Sequence, residues 1–335
     1  MEITIKNPLD MHVHLRDADM MSIVAPLTSQ YFSWALVMPN LIPPVMNTAD
    51  AIWYKDRIES LTKNDNFTPF MTLFFHEGLT REMLEQAKDH IMWIKLYPAG
   101  ITTNSEGWVK SVLSSKAKEI FWIMEELGIV LHIHGETGDF VMDREANFMP
   151  NYLEIAKTFP NLTVIMEHIT TKAAADTLDM FPNLYATITL QHLEITLDDI
   201  AWGSLKPHLF CKPIAKRYED RDALLELALS AHPKVSFGSD SAPHPQHTKE
   251  CPGCAAGVFS APISLQVLAQ IFDRAGKLHN LQKFVSDNAV NIYGINPNKK
   301  TVTLEKKNFT IPDKYGDVVP YRAWDTIDWS IKEVK

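Results

Sequence analysis

The sequence predicts a (β/α)8 barrel, and three observations carry that expectation. Eight short apolar runs recur along 335 residues, their starts 21 to 50 residues apart, and a strand with its helix takes about 30 residues. The intervals between runs carry helical signals, and alternation of strand and helix implies a parallel sheet covered by helices. No Gly-x-Gly-x-x-Gly or phosphate-binding loop follows the first run, which weakens the case for an open nucleotide-binding sheet.

The first run, Leu9–His14, ends in His12-Val13-His14. The second, Trp34–Pro39, leads into Asn40, and the segment near 20–32 before it is the least clear helix. A helical segment near 49–62 precedes the third run, Phe70–Phe75. Another near 80–90 precedes the fourth, Ile91–Leu96, which carries Lys95. Before the fifth run, Ile129–His134, residues Ala117, Ile120, Phe121, Met124 and Leu127 keep the i, i+3, i+4, i+7 spacing. Lys118, Glu119, Glu125 and Glu126 take the other face, and Gly128 stops the helix. Leu162–His168, Leu184–Leu190 and Lys234–Gly238 complete the eight, with helical segments near 171–181, 220–231 and 262–276. Two intervals, 97–111 and 191–218, are longer than a helix needs, and long loops in this fold sit where substrates bind. Residues 300–335 read as neither helix nor βα unit and are expected to wrap the barrel. No linker or repeat divides residues 1–335, so a single domain is expected.

Composition narrows the function. Hydrophobic residues at 46% and charged residues at 22% exclude a disordered chain. With 32 basic and 41 acidic side chains the formal charge is −9, which argues against a nucleic-acid surface. It leaves an anionic small-molecule substrate open, because charge in a cleft can oppose net charge. Three cysteines suggest a reducing, cytoplasmic setting. The N-terminal residues lack a signal-peptide pattern. Residues 20–49 carry no charge, but Pro26, Pro39, Pro43 and Pro44 interrupt them, so no membrane span is expected.

Barrel enzymes place their chemistry at the carboxyl ends of the strands, and unusual polar residues fall there. His12 and His14, two apart on a strand, share a face and can reach one ion. An isolated His-x-His is otherwise a structural pair. Candidate ligands on four other strands at the same barrel end favour metal. His132 and His168 would bring imidazoles from neighbouring strands. His134 shares a face with His132, one pleat away, and only one of the two need bind; the other is then a supporting partner. Lys95 lies in an apolar strand, where a charge is costly unless compensated or removed. It reads either as a lysine snorkelling at the strand end or as a carboxylated lysine. The second requires an uncharged amine, which burial next to cations promotes. Asp240, after Gly238-Ser239, reads among these histidines as a ligand and proton acceptor. Neutral nitrogens with hard oxygens suit zinc.

Taken in order, these segments resemble the amidohydrolase superfamily, and within it the short bacterial class of dihydroorotase. Asp10-Met11-His12-Val13-His14-Leu15-Arg16-Asp17, Val37-Met38-Pro39-Asn40 and Ile94-Lys95-Leu96-Tyr97-Pro98-Ala99 resemble its first, second and fourth strand signatures. His132-Ile133-His134-Gly135-Glu136, Glu167-His168-Ile169 and Gly238-Ser239-Asp240-Ser241-Ala242-Pro243-His244 continue the series. Asp287-Asn288-Ala289 to Tyr293-Gly294 resembles its C-terminal helix, so the likeness spans nearly the whole chain.

The resemblance implies a binuclear centre at the carboxyl ends of the strands of a TIM barrel. One zinc ion would be held by His12, His14 and Asp240, the other by His132 and His168, bridged by N6-carboxylysine at Lys95. It is also the ground for choosing His132 over His134. It implies that Arg16, Asn40 and His244 hold a substrate carboxylate, and their donors suit one. Thr102 and Thr103 match two threonines of a substrate-covering loop. Lys212 and Ala256 match positions whose backbone contacts the ring, although some relatives carry an apolar residue at 212. The implied reaction is interconversion of N-carbamoyl-L-aspartate and L-dihydroorotate, with Asp240 as general acid and base, in a homodimer. A hydantoinase- or allantoinase-like cyclic amidase shares the metal set but does not need the carboxylate clamp in this form. A non-catalytic barrel is the other alternative, and such proteins usually lose ligands. Cys251-Pro252-Gly253-Cys254 lacks a second pair, and reads as two free thiols in a loop beside the site.

Overall fold

The structure is a computed structural model that describes residues 1–100 and 111–335. Strand β1 (Glu2–Lys6) precedes the barrel. The barrel strands are β2 (Leu9–Val13), β3 (Trp34–Val37), β4 (Thr68–Phe74), β5 (Ile91–Leu96), β6 (Val130–Ile133), β7 (Val164–Met166), β8 (Leu184–Ile188) and β9 (Val235–Phe237). They pair in sequence order in one parallel sheet, with helices between them. Seven of the eight expected runs enclose one of these strands, and β4 overlaps the run Phe70–Phe75 but starts two residues before it. The expectation of a (β/α)8 barrel is met.

The barrel closes at a narrow seam between its first and last strands. There the single parallel bridge Val13–Ser241 carries the closure. Asp240 N–H donates to His12 O (2.8 Å) and His14 N–H to Ser241 O (3.0 Å). Beneath them the Asp10 carboxylate accepts from Ser239 N–H (2.8 Å) and Ser239 Oγ–H (2.6 Å). Burial pushes the Asp10 carboxyl up to about 6 despite these donors.

Two apolar layers follow from strand alternation. Ile94, Leu96, Leu131, Ile133, Val164 and Met166 face outward and meet helix residues such as Ala117, Ile120, Phe121 and Met124. Leu9, Met11, Leu36, Met38, Trp93, Val130 and Ile165 fill the barrel with Tyr293. The helix over Ser115–Leu127 ends at left-handed Gly128. The segment near 20–32 is a helix over Ala18–Ser29, its pattern blurred by Pro26.

A helix at Arg144–Thr158 has no counterpart in the sequence reading, because it contains Pro150, which argues against a helix interior. Its buried Glu145 carboxylate accepts from the N–H and hydroxyl groups of Thr170 and Thr171. The chain end, read as neither helix nor βα unit, is built of strands. Strands β10 (Thr301–Thr310) and β11 (Thr326–Val334) form an antiparallel sheet with β1 in the order β1-β10-β11. Only every second residue at the start of β10, Val302 and Leu304, is buried, a pattern too short to stand out. Lys300 ties this sheet to the barrel by donating to Ser29 O and Phe32 O.

Candidate metal centre and substrate pocket

Local backbone departures aim the polar side chains. Between Asp10 and Val13, β2 carries one more residue than the paired stretch Ala35–Val37 of β3. Leu9 and Met11 face the barrel interior below this bulge. Above it His12 and His14 line the pocket while Val13 packs outside. A bulge shifts the alternation by one residue, so both imidazoles enter the mouth. At the ends of β7 and β9, His168 (φ +39°) and Asp240 (φ +43°) adopt left-handed conformations, as does Arg16 (φ +57°). Non-glycine residues held there store on the order of 1 kcal/mol or more each, and such positions cluster at functional sites.

The donor atoms converge. His12, His14 and Asp240 offer ligand atoms within 4.8 Å of one another. His12 Nδ1–H donates to Glu167 Oε2 (2.7 Å), so its Nε2 lone pair faces Asp240 Oδ1 at 3.3 Å. His14 Nε2 lies 3.0 Å from the same oxygen. On the other side His134 Nε2–H donates to Glu136 Oε2 (2.7 Å). That leaves the His134 Nδ1 lone pair facing His168 Nε2 at 3.2 Å. A lone pair against a carboxylate oxygen is unfavourable without a cation between them. A four-coordinate zinc with bonds of about 2.0 Å sets its ligands about 3.3 Å apart, which matches these spacings. Burial pushes His14 down to about 4, and lowers His132, His134 and His168 below the ordinary imidazole value. These rings are therefore neutral at pH 7, the form that binds metal. Burial alone would raise the Asp240 carboxyl, but at the acid pH where it titrates the surrounding imidazoles of His12, His14 and His168 are cationic and hold it well below the usual range.

Here the structure corrects the sequence reading. His134 lines the pocket and His132 does not. His132 pairs in register with Lys95, one pleat deeper. Its ring stacks on Tyr293 (5.7 Å, 10°), toward the barrel floor, and its Nδ1–H is taken by Glu167 Oε1. Alternation fixes which face a residue occupies but not its depth, and the pocket-facing histidine is the one nearer the strand's end.

Lys95 is fully buried, and its Nζ has no hydrogen-bond partner among the described residues. Burial pushes its amine down to about 8, against the pull of Glu167 and Asp240. Nζ stands 5.1 Å from the centre of the Tyr97 ring. Glu167 is the residue sequence reasoning left without a role. Its carboxylate accepts from His12, His132 and Thr187 Oγ1 (2.6 Å) and is held well below the usual carboxylate range. The available signal was an acid in an apolar strand, the same signal as Lys95. Glu136, which fixes the His134 tautomer, has Lys216 Nζ 3.9 Å from its other oxygen.

Above the donors, Arg16, Asn40, Lys212, His244 and Ala256 line a cleft of about 460 Å³, part of it open to solvent. Arg16 Nε–H donates to Pro243 O (3.0 Å), and Nη2 lies 2.9 Å from His244 Nε2. The same His244 nitrogen is 3.0 Å from Ala256 O. One nitrogen cannot both accept from a guanidinium and donate to a carbonyl, so the two contacts are alternatives. Burial, with Arg16 beside it, pushes His244 down to about 3, so the ring is neutral and carries a single proton. Thr102 and Thr103 lie outside the described residues. Cys211, Cys251 and Cys254 are free thiols.

Known proteins share this arrangement of the chain. The amidohydrolase family profile matches residues 75–295. A dihydroorotase of Helicobacter hepaticus is 44% identical over 99% of this chain and 98% of its own. A crystal structure of dihydroorotase from Campylobacter jejuni superposes with a TM-score of 0.95 at 53% identity, covering 99% of this chain and 98% of that one. Dihydroorotase from Saccharomyces cerevisiae in complex with 5-fluoroorotic acid superposes at 0.93 with 34% identity, over 99% and 98% of the two chains.

Proposed function

The chain belongs to the dihydroorotase family of amidohydrolases, and from that premise we propose how its pocket performs the family's reaction. The enzyme interconverts N-carbamoyl-L-aspartate and L-dihydroorotate in pyrimidine biosynthesis. The family is metal-dependent. His12, His14 and Asp240 would hold one zinc ion, and His134 with His168 a second. Lys95 would bridge them as N6-carboxylysine: its neutral amine forms an N–C bond to CO2 and releases one proton, and the carbamate carries one negative charge shared by two oxygens. An Nζ that meets no hydrogen-bond partner among the described residues, together with the opposed lone pairs, fits that set. When bound, such ions lend Lewis acidity and lower the pKa of water at the site.

The protein's own groups do the rest. Arg16 and Asn40 bind the substrate carboxylate, which draws Arg16 Nη2 away from His244. His244 Nε2–H is then free to donate to Ala256 O or to the ligand. Ala256 and the backbone at Lys212 border the ring, and the bound 5-fluoroorotic acid of the yeast relative supports a pyrimidine-shaped site. In ring opening, Asp240 accepts the proton of the attacking water and returns it to the departing amide nitrogen. In closure it delivers the proton to the leaving oxygen. The observation that carries this reading is that Arg16, Asn40 and His244 line the same pocket as His12, His14 and Asp240. We also assign residues 1–335 to one barrel domain with residues 300–335 as its wrap, working as a cytoplasmic homodimer.

The test is turnover of dihydroorotate and of hydantoin by the zinc-loaded, bicarbonate-treated protein. Dihydroorotate should be opened and hydantoin left largely intact. Turnover of hydantoin alone would point to the cyclic-amidase alternative.

A further inference from the structure

Lys249 is a buried cation that meets no carboxylate in the described structure. It ends the short helix Gln246–Lys249 and is 3% exposed. Its ammonium donates to three backbone carbonyls: Phe210 O (2.9 Å), Ala255 O (2.8 Å) and Gly257 O (2.7 Å). An ammonium has three N–H donors, so its capacity is filled by main chain alone. Those carbonyls belong to two segments, one running into Cys211 and Lys212, the other flanking Ala256. Gly257 N–H donates to Phe210 O (2.9 Å) and joins the segments at the same point.

The consequence falls on Ala256. In a trans peptide the C=O and N–H point opposite ways. With Ala255 C=O turned onto Lys249, the Ala256 N–H faces away from it. Gly257 C=O is turned onto Lys249 as well, and the Ala256 carbonyl between them points away, toward His244 Nε2. The N–H and C=O of Ala256 thus lie on one side, toward the pocket that Ala256 lines. The Ala256 N–H meets no acceptor among the described residues. The segment has no slack to turn. A Cβ at Gly257 would lie 2.3 Å from Ala242 O and 3.0 Å from His244 Cδ2.

We propose that Lys249 is a positioning residue for substrate. Its ammonium sets the peptide planes of residues 255–257 so that Ala256 presents a donor and an acceptor side by side. That pair is the complement of a cyclic amide or ureide edge, which offers C=O beside N–H. Lys249 therefore governs ring binding without touching the ring or the metal donors. The proposal rests on the dihydroorotase reading above.

The test is Lys249→Met in the full-length, metal-loaded enzyme. KM for dihydroorotate should rise about tenfold, the value of one well-placed hydrogen bond. The kcat and the metal content should stay within about twofold of wild type, since the interaction serves binding rather than chemistry. An unchanged KM overturns the proposal. A fall in kcat and metal content together with the rise in KM marks a merely structural lysine and overturns it too. If Lys249→Met does not accumulate folded, Lys249→Gln, which loses the charge and one donor, is measured in the same way. It should raise KM about threefold or more, and an unchanged KM has the same meaning. Wild-type protein that fails to turn over dihydroorotate refutes the reaction itself, whereas wild-type turnover with KM unmoved in the variants refutes the positioning role alone.

Discussion

Replacing Glu167 by glutamine keeps the shape of the side chain and removes its charge. The carboxylate takes His12 Nδ1–H at 2.7 Å and Thr187 Oγ1–H at 2.6 Å on one oxygen, and His132 Nδ1–H on the other. An amide can serve only one of those sides as acceptor. Facing its oxygen to His12 and Thr187 keeps two bonds but puts its NH2 against His132, which must move its proton to Nε2. Hydrogen bonds to a charged acceptor contribute about 1.5–3 kcal/mol, and neutral ones about 0.5–1.5. Losing the charge on the two retained bonds removes roughly 2 kcal/mol of support from the His12 side. If that support reaches the metal through His12, 2 kcal/mol corresponds to about 30-fold in affinity, within the ~10–100-fold expected for partners behind metal ligands. Thermal stability should change less, because removing a buried carboxylate also removes its desolvation penalty.

The assay for Glu167→Gln is zinc retention against a graded chelator, with the unfolding midpoint measured in parallel. Expected is about 30-fold weaker retention of zinc with the fold intact. Retention within threefold of wild type would refute the reasoning, because His12 would then hold its tautomer and place without the carboxylate. Metal loss that merely tracks unfolding would refute it equally.

Lys95→Ala should lose metal and activity together, with partial rescue by a short carboxylic acid; full activity removes the bridge from the proposal. Arg16→Met should raise KM for dihydroorotate by about tenfold or more, since charged hydrogen bonds to the carboxylate are lost, and an unchanged KM removes the clamp. Burial pushes the Lys300 amine down to about 8, below its unfolded value, so the unfolded chain binds the extra proton between pH 8 and about 10.5. That group's contribution therefore grows as pH rises through this window and is lost as pH falls through 8. Denaturant melts should show the rise in wild type and a flatter slope in Lys300→Met, and equal slopes would exclude Lys300 as the source.

The barrel was legible in the sequence because its cause is local. Each strand is a short apolar run, each helix an amphipathic stretch, and their alternation leaves few topologies. Arg144–Thr158 escaped because Pro150 masks the periodicity, and β10 because only the start of its alternation is buried. The site was legible as residue types and as a face, not as depth. His132 and His134 share a face, and what separates them is a register that pairs His132 with Lys95. Glu167 stayed silent because its three donors come from β2, β6 and β8, elements that only the closed barrel brings together.

The donors and the barrel closure occupy the same place. His12 and His14 belong to the first barrel strand and its end, Asp240 to the turn after the last, and the ladder between those strands is a single bridge at Val13–Ser241. Beside that bridge, whose ladder bond is His14 N–H to Ser241 O, the seam is held by Asp240 N–H on His12 O and by Ser239 on the Asp10 carboxylate and on His12 O. The strained φ of Asp240 and the bulge of β2 sit within this seam. Both lower its stability as a plain parallel pair, and both are what aim the donors into the mouth. An ion held by His12, His14 and Asp240 would therefore join the first strand to the last at the weakest point of the cylinder. Any ligand that binds only the folded state adds its binding free energy to folding. Here that gain would fall on the seam, so metal loss and opening of the β2–β9 edge should be one process rather than two.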